Sequence, residues 1–352
     1  MIDEFKSFET AASRRVGVVG GGIAGLAAAR VLAEAGVAVK VFDKGRGPGG
    51  RASTRRVEQD SGTLAFDHGA QYFTVRADRF ATVVEGWVSM GACAPWNGQI
   101  ATIDSAGRLE AKPGGPTRFV GTPRMNAVVA QLVADLPRNA KVQFSARVDR
   151  VEHAGGGWLV EGPEDRIGTF DALIVTAPAP QVVELMPESP ELAARAAACV
   201  MHPCWAVMAA FDARLPIEAD GIFVNVPGNP LSWLARDSSK PGRSPGERWI
   251  LHAGPEWSMA HVDDDRSSVV CELLESMQAA LQLALPPATY SAAHRWRYAL
   301  TSSRVDGSAL FDRDRRVAIA GDWCNGGRVE GAFLSGCAAA DMLLRGFESK
   351  SS

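Results

Sequence analysis

Residues 16–19 form a short apolar run directly after the basic pair Arg14-Arg15, the pattern of a strand buried on both faces of a parallel sheet. An alanine-rich stretch follows in which Leu26, Ala27, Arg30, Val31 and Ala35 continue a helix that stops at Gly36. A second strand is predicted over residues 37–42. Further on, residues 141–152 read as a strand pair edge (Val142, Phe144, Val148, Val151), and 170–176 as a buried strand. Gly155-Gly156-Gly157 before Trp158 reads as a hairpin turn. Near the C-terminal end a strand over 317–320 precedes a helix over 333–345. Between these parts the pattern predicts helices over 191–200 and 267–285, the latter with Val269, Val270, Leu273, Leu274, Met277 and Leu281 on one side. Residues 249–253 read as an apolar strand. Residues 237–247, rich in Ser, Pro, Gly and Lys, read as an exposed loop.

Composition narrows the class. The 352 residues are 46% hydrophobic, and no apolar run approaches the roughly 20 residues a membrane span needs, so a soluble globular chain of two units is expected. A formal charge of −3 gives no reason to expect nucleic acid or an anionic membrane as partner. The acidic, polar start MIDEFKSFET reads as neither secretory signal nor transit peptide, so a cytoplasmic location is expected. Six cysteines (Cys93, Cys199, Cys204, Cys271, Cys324, Cys337) contain no C-x-x-C pair, and free thiols are expected. Cys199, His202 and Cys204 lack further ligands at metal spacing, so no metal site is expected.

The chemistry begins at Gly20-Gly21-Gly22-Ile23-Ala24-Gly25, a G-x-G-x-x-G between the first strand and the first helix. Gly20 permits a tight turn, Gly22 lets backbone approach a pyrophosphate, and Gly25 lets helix and strand pack closely. The helix start offers unpaired N–H groups and a positive dipole end to phosphate. Asp43, eighteen residues past Gly25, stands where a carboxylate accepts from ribose hydroxyls. These residues alone fit NAD or FAD equally.

The next segment, Asp43-Lys44-Gly45-Arg46-Gly47-Pro48-Gly49-Gly50-Arg51, resembles the stretch after the second strand in the glutathione-reductase-like flavoproteins, especially their amine-oxidase branch. That resemblance implies FAD, with Lys44, Gly50 and Arg51 alongside its pyrophosphate and ribityl chain. It also implies that Asp322 of Gly321-Asp322 meets the ribityl or pyrophosphate region. The helix start through Arg328, Val329, Glu330 and Ala332 would then point N–H groups at the flavin pyrimidine. Val148 is expected near adenine, Ala177 at the return from an insertion, and His68-Gly69-Ala70-Gln71 as a cofactor loop braced by His68. The fold class that follows is α/β: a discontinuous Rossmann-like FAD-binding domain (14–74, 113–182 and 310–346) plus an inserted α+β substrate domain with a mixed sheet (75–112 and 183–309).

Several blocks are more specific. Phe66-Asp67-His68-Gly69-Ala70-Gln71-Tyr72-Phe73, Trp249-Ile250-Leu251-His252-Ala253, His294-Arg295-Trp296-Arg297-Tyr298-Ala299 and the run from Gly321 to Gly336 resemble the bacterial renalase group, in matching order. The resemblance implies non-covalent FAD and oxidation of 2- and 6-dihydroNAD(P) to NAD(P)+ by hydride transfer to flavin N5, with oxygen becoming hydrogen peroxide. No second G-x-G-x-x-G has a strand and helix around it, so a substrate would lie against the flavin from the other domain. His252 reads as a donor to a substrate carboxamide or as a core histidine. Tyr72, Trp296 and Tyr298 read as walls of the substrate site and Arg297 as a phosphate contact, or else as packing and surface residues. Seven of the nine tryptophans fall outside the expected FAD segments, and two or three of them are expected near the site. An amine oxidase or desaturase on the same scaffold, and a non-catalytic FAD-binding protein, remain open.

Overall fold

A computed structural model describes residues 14–60, 62–163, 166–186, 189–302 and 307–348. Its first layer is a six-stranded sheet in the order Leu310–Asp312, Val317–Ile319, Ala172–Val175, Arg15–Val19, Ala38–Phe42, Ala140–Gln143. All neighbours run parallel except the outermost pair, Leu310–Asp312 with Val317–Ile319. The central strands read as unbroken apolar runs because both of their faces are covered: Val16, Val18 and Ala172 to Val175 are essentially inaccessible.

The helix Ile23–Glu34 packs on this sheet, and the C-terminal helix Val329–Glu348 packs on that helix in turn. Contact there is backbone to backbone. A Cβ at Gly336 would lie 2.0 Å from the Ala24 carbonyl oxygen, so only glycine fits the crossing. The two ends of the chain thus meet at the start of the first helix.

The second large layer is a seven-stranded mixed sheet ordered Tyr290–Thr301, Met201–Phe211, Glu247–Ala253, Leu231–Arg236, Gly221–Val224, Ile100–Ile103, Leu109–Ala111. Only the Gly221–Val224 and Ile100–Ile103 pair is parallel. The helix Arg266–Leu281 covers one face with Val269, Leu273 and Met277 against Trp205, Trp249 and Leu251. Asp265 caps it by accepting from the Ser267 N–H at 2.8 Å.

Several sequence expectations shift. The strand pair edge expected at 141–152 is divided between two sheets: Ala140–Gln143 joins the parallel sheet, and Arg150–Ala154 begins a three-stranded antiparallel sheet. The 170–176 strand is likewise divided between Arg166–Phe170 and Ala172–Val175. The 267–285 helix ends at Leu281 because Gln282 turns left-handed at φ 51°. The last helix begins earlier than expected, at Val329. The largest correction concerns 237–247. Its loop-like composition suggested solvent, yet Asp237, Lys240 and Glu247 are almost fully buried. Charges there are paired with one another, which is what lets them leave water.

Candidate functional site

One cavity of about 2300 Å³ runs between the parallel sheet and the mixed sheet. At one end lies the glycine turn. A Cβ on Gly22 would meet nothing within 4 Å, so the space in front of the helix start is open to a ligand, and Ile23 and Ala24 line it. Gly25 does not line it. A Cβ there would fall 1.9 Å from the Gly20 carbonyl oxygen, so this glycine serves the turn's own packing. Asp43, at the end of the second strand, accepts from the Gly21 and Gly45 N–H groups at 2.6 Å each, which fixes the carboxylate at the cavity edge. Lys44, Val148 and Ala177 line the same region.

The middle of the cavity is closed by a contact between the two ends of the chain. Arg51 donates to both Asp322 carboxylate oxygens, at 3.0 and 2.5 Å, a bidentate geometry that orients both groups. Gly50, Gly321, Arg328, Val329 and Ala332 lie around it. Glu330 also lines the cavity, but its carboxylate accepts from the Arg76 and Ala77 N–H groups at 2.7 and 2.8 Å. It ties the last helix to the chain entering the helix Asp78–Ser89.

At the far end the loop from His68 to Tyr72 faces the mixed sheet. The His68 carbonyl accepts from Trp296 Nε1 at 2.9 Å and lies 3.2 Å from His252 Nε2, which therefore carries the ring proton. The His68 ring lies 4.7 Å from His294 and 5.0 Å from Trp296, and His294 lies 4.4 Å from Trp296. Burial pushes the His68 imidazole down to about 3 and His252 and His294 down to about 4, with Arg55 adding to the effect at His68 and His294. Three neutral imidazoles and an indole therefore form one wall.

Gln71 turns its amide inward. Nε2 donates to the Asp67 and Gly69 carbonyls, and Oε1 accepts from Lys240 Nζ at 3.1 Å. Tyr298 lines the cavity on the same strand as His294 and Trp296, just past Trp296 where a register shift opposite His202 and Cys204 interrupts the alternation. Arg297 also lines the cavity there, and its guanidinium pairs with Asp263 at 3.4 Å beside Arg295. Alternation also offers a signal for His294, a lining residue to which the sequence reading gives no role: it stands two before Trp296. Trp233 and Phe223 line the cavity too, and single aromatics in strands carry no such signal. Of the seven tryptophans outside the expected FAD segments, Trp233 and Trp296 line the cavity, while Trp87, Trp205 and Trp249 are core.

Twelve arginines and lysines line the cavity against six carboxylates, an excess of positive charge in a chain whose formal charge is −3. That balance, the open glycine turn and the volume fit a large, doubly phosphorylated cofactor. Cys204 lines the cavity, but burial pushes its thiol up to about 12; Cys324 is buried away from the cavity and is pushed up to about 12 as well. No group of metal-ligating side chains is found among the described residues.

Comparison with known proteins agrees with this geometry. Residues 18–85 match the model of an NAD(P)-binding Rossmann-like domain, and residues 97–344 match that of flavin containing amine oxidoreductases. The second match covers well over half of the chain. The protein belongs to the flavin-containing amine oxidoreductase family. Membership implies FAD, and the mixed α/β layers described above agree with the family's fold. Similar solved structures include a protein assigned as a protoporphyrinogen oxidase from Exiguobacterium sp. 255-15 (TM-score 0.76, 15% identity, 96% of this chain and 100% of that one). Cyclohexylamine oxidase from Brevibacterium oxydans IH-35A gives a TM-score of 0.73 at 15% identity over 96% and 100% of the two chains. At these identities the likeness is one of fold. Among curated proteins, the tRNA 5-methylaminomethyl-2-thiouridine biosynthesis bifunctional protein MnmC of Thiobacillus denitrificans is 34% identical over 87 residues, which are 25% of this chain and 14% of that relative's length. No helix among the described residues is long and apolar enough to cross a membrane.

Proposed function

We propose that this member of the family oxidises dihydronicotinamide dinucleotides reduced at ring position 2 or 6, in the manner of the bacterial renalases. The observation that carries the reading is the wall of His68, His252, His294 and Trp296. Its imidazoles stay uncharged at neutral pH, and the wall offers hydrogen-bonding edges and an aromatic face without a group poised to take a proton. A dihydropyridine that loses hydride becomes an aromatic pyridinium directly, so its oxidation needs orientation and no general base.

FAD, held without a covalent bond by the glycine turn, Asp43, Arg51 and Asp322, would supply the hydride acceptor and pass the electrons to oxygen as hydrogen peroxide. The chain's own residues orient the ring against the neutral wall and exclude water from it. Trp296 and Tyr298 wall the substrate, and His252 is held by the His68 carbonyl. We place the protein in the cytoplasm, clearing dinucleotide isomers that would otherwise occupy nicotinamide sites.

Anaerobic stopped-flow tests the reading: the holoenzyme is mixed separately with 2-dihydroNAD, 6-dihydroNAD, ordinary NADH and a panel of amines. Rapid bleaching of the flavin by the two isomers alone is expected, with peroxide on admitting oxygen and little change in rate between about pH 6.5 and 9. Bleaching by an amine instead, with a profile following the amine's own pKa, would establish the second reading, which family membership and the fold shared with cyclohexylamine oxidase favour.

A further inference from the structure

Tyr72, Trp233 and Phe223 form an unbroken aromatic strip along the cavity, with ring centroids 5.7 Å and then 4.7 Å apart. A cation stands at each end. The Arg118 guanidinium lies 5.3 Å from the Tyr72 centroid, and Lys112 Nζ lies 4.6 Å from that of Phe223. Both ends of the loop between them are pinned: the Lys112 N–H donates to the Ile100 carbonyl and the Arg118 carbonyl accepts from the Trp96 N–H, each at 2.7 Å. The two charges are therefore fixed to the wall rather than carried on free chain. Among the described residues neither forms an ion pair, and two buried donors on the strip, Arg118 Nε and Trp233 Nε1, have no hydrogen-bond acceptor. A buried donor without an acceptor costs free energy that a ligand oxygen would recover.

We infer that this strip is the subsite for the phosphate-bearing half of the substrate, with Arg118 and Lys112 on phosphate oxygens and the rings against a base or sugar. The inference rests on the proposed reading and deepens it. The cofactor's own phosphates are provided for elsewhere, by the glycine turn on the parallel sheet. Phe223 and Trp233 belong to the mixed sheet, in the strands Gly221–Val224 and Leu231–Arg236. Two cations at this position select anionic substrates and repel ammonium groups, so the same strip discriminates against simple amines.

The test uses FAD-loaded protein and three redox-inert probes: NAD+, ADP-ribose and nicotinamide riboside, followed by tryptophan fluorescence at low and high salt. NAD+ and ADP-ribose should bind with affinity that falls steeply with salt, and roughly tenfold more weakly in Arg118→Met and in Lys112→Met, the scale of one charge-assisted contact. Nicotinamide riboside should be indifferent to both substitutions. Lys112 is exposed, so its variant reports even if Arg118→Met perturbs the fold. ADP-ribose binding that is absent, or equal in wild type and Lys112→Met, overturns the subsite, whatever the dinucleotide isomers do to the flavin. Salt-sensitive ADP-ribose binding without flavin reduction by the isomers would instead leave the anion subsite standing and remove the proposed reaction.

Discussion

At the scale of single residues, the three histidines at the cavity convert burial into a pH dependence of the whole fold. Each has a folded pKa below the value of 6.5 it holds when exposed. Between pH 6.5 and about 4 the unfolded chain binds protons at these positions that the folded chain refuses. Stability from this source is full above 6.5 and is lost as pH falls toward 4, and at His68 on toward 3, by at most about 1.4 kcal/mol per pH unit per group. Thermal unfolding from pH 7 to pH 4 should show that decline, and His68→Gln should flatten it, because His68 has the deepest shift. A Tm that tracks pH identically in both proteins would assign the acid sensitivity to other groups.

Between elements, the loop carrying His68 to Tyr72 is fastened to the mixed sheet by buried charge. Arg243 donates to Asp67, Lys240 Nζ lies 2.7 Å from Asp237 and 3.7 Å from Asp67, and all four are nearly inaccessible. Burial works against the Asp67 charge, but Lys240 and Arg243 overcome it and hold the carboxyl below its ordinary range. Asp237 goes the other way: burial pushes its carboxyl up against the pull of Lys240. Asp67→Asn should therefore cost about 3 kcal/mol in urea unfolding, since it strands the buried Arg243 and takes the ionised one of two carboxyls from Lys240, and Asp237→Asn clearly less. Equal losses would mean that the two carboxylates share the charge evenly. This cluster also marks the limit of what was legible in the sequence. The strand–turn–helix at Val16 to Gly36 could be read because its signals are local: a two-face-buried strand is a continuous apolar run, and a tight turn needs glycine. The burial of Asp237 and Lys240 depends on Asp67, some 170 positions earlier, and no local pattern carries that pairing. The division of 141–152 between two sheets was hidden for a related reason, because half-buried strands alternate alike in either sheet.

Over the whole molecule, the cavity exists because the two ends of the chain are held together at one crossing. Arg51 and Asp322 meet across it, and the first and last helices touch where Gly336 lies on the Ala24 carbonyl. Gly336→Ala places a Cβ 2.0 Å from that oxygen, and backbone on both sides cannot yield as a side chain could. The helices must separate, moving the Ile23 helix start away from Asp322. Stability should fall by about 1–3 kcal/mol, the usual cost of overpacking, and free flavin fluorescence should report faster loss of FAD. The same substitution at Gly86, in the helix Asp78–Ser89, meets nothing within 4 Å and should raise stability by roughly 0.5–1 kcal/mol through helix propensity alone. Opposite signs from one chemical change separate the close crossing from glycine's general weakness in helices. Retention of FAD by Gly336→Ala as tight as in wild type would show that the crossing does not govern the cavity, and that the Arg51–Asp322 pair alone keeps the two ends in register.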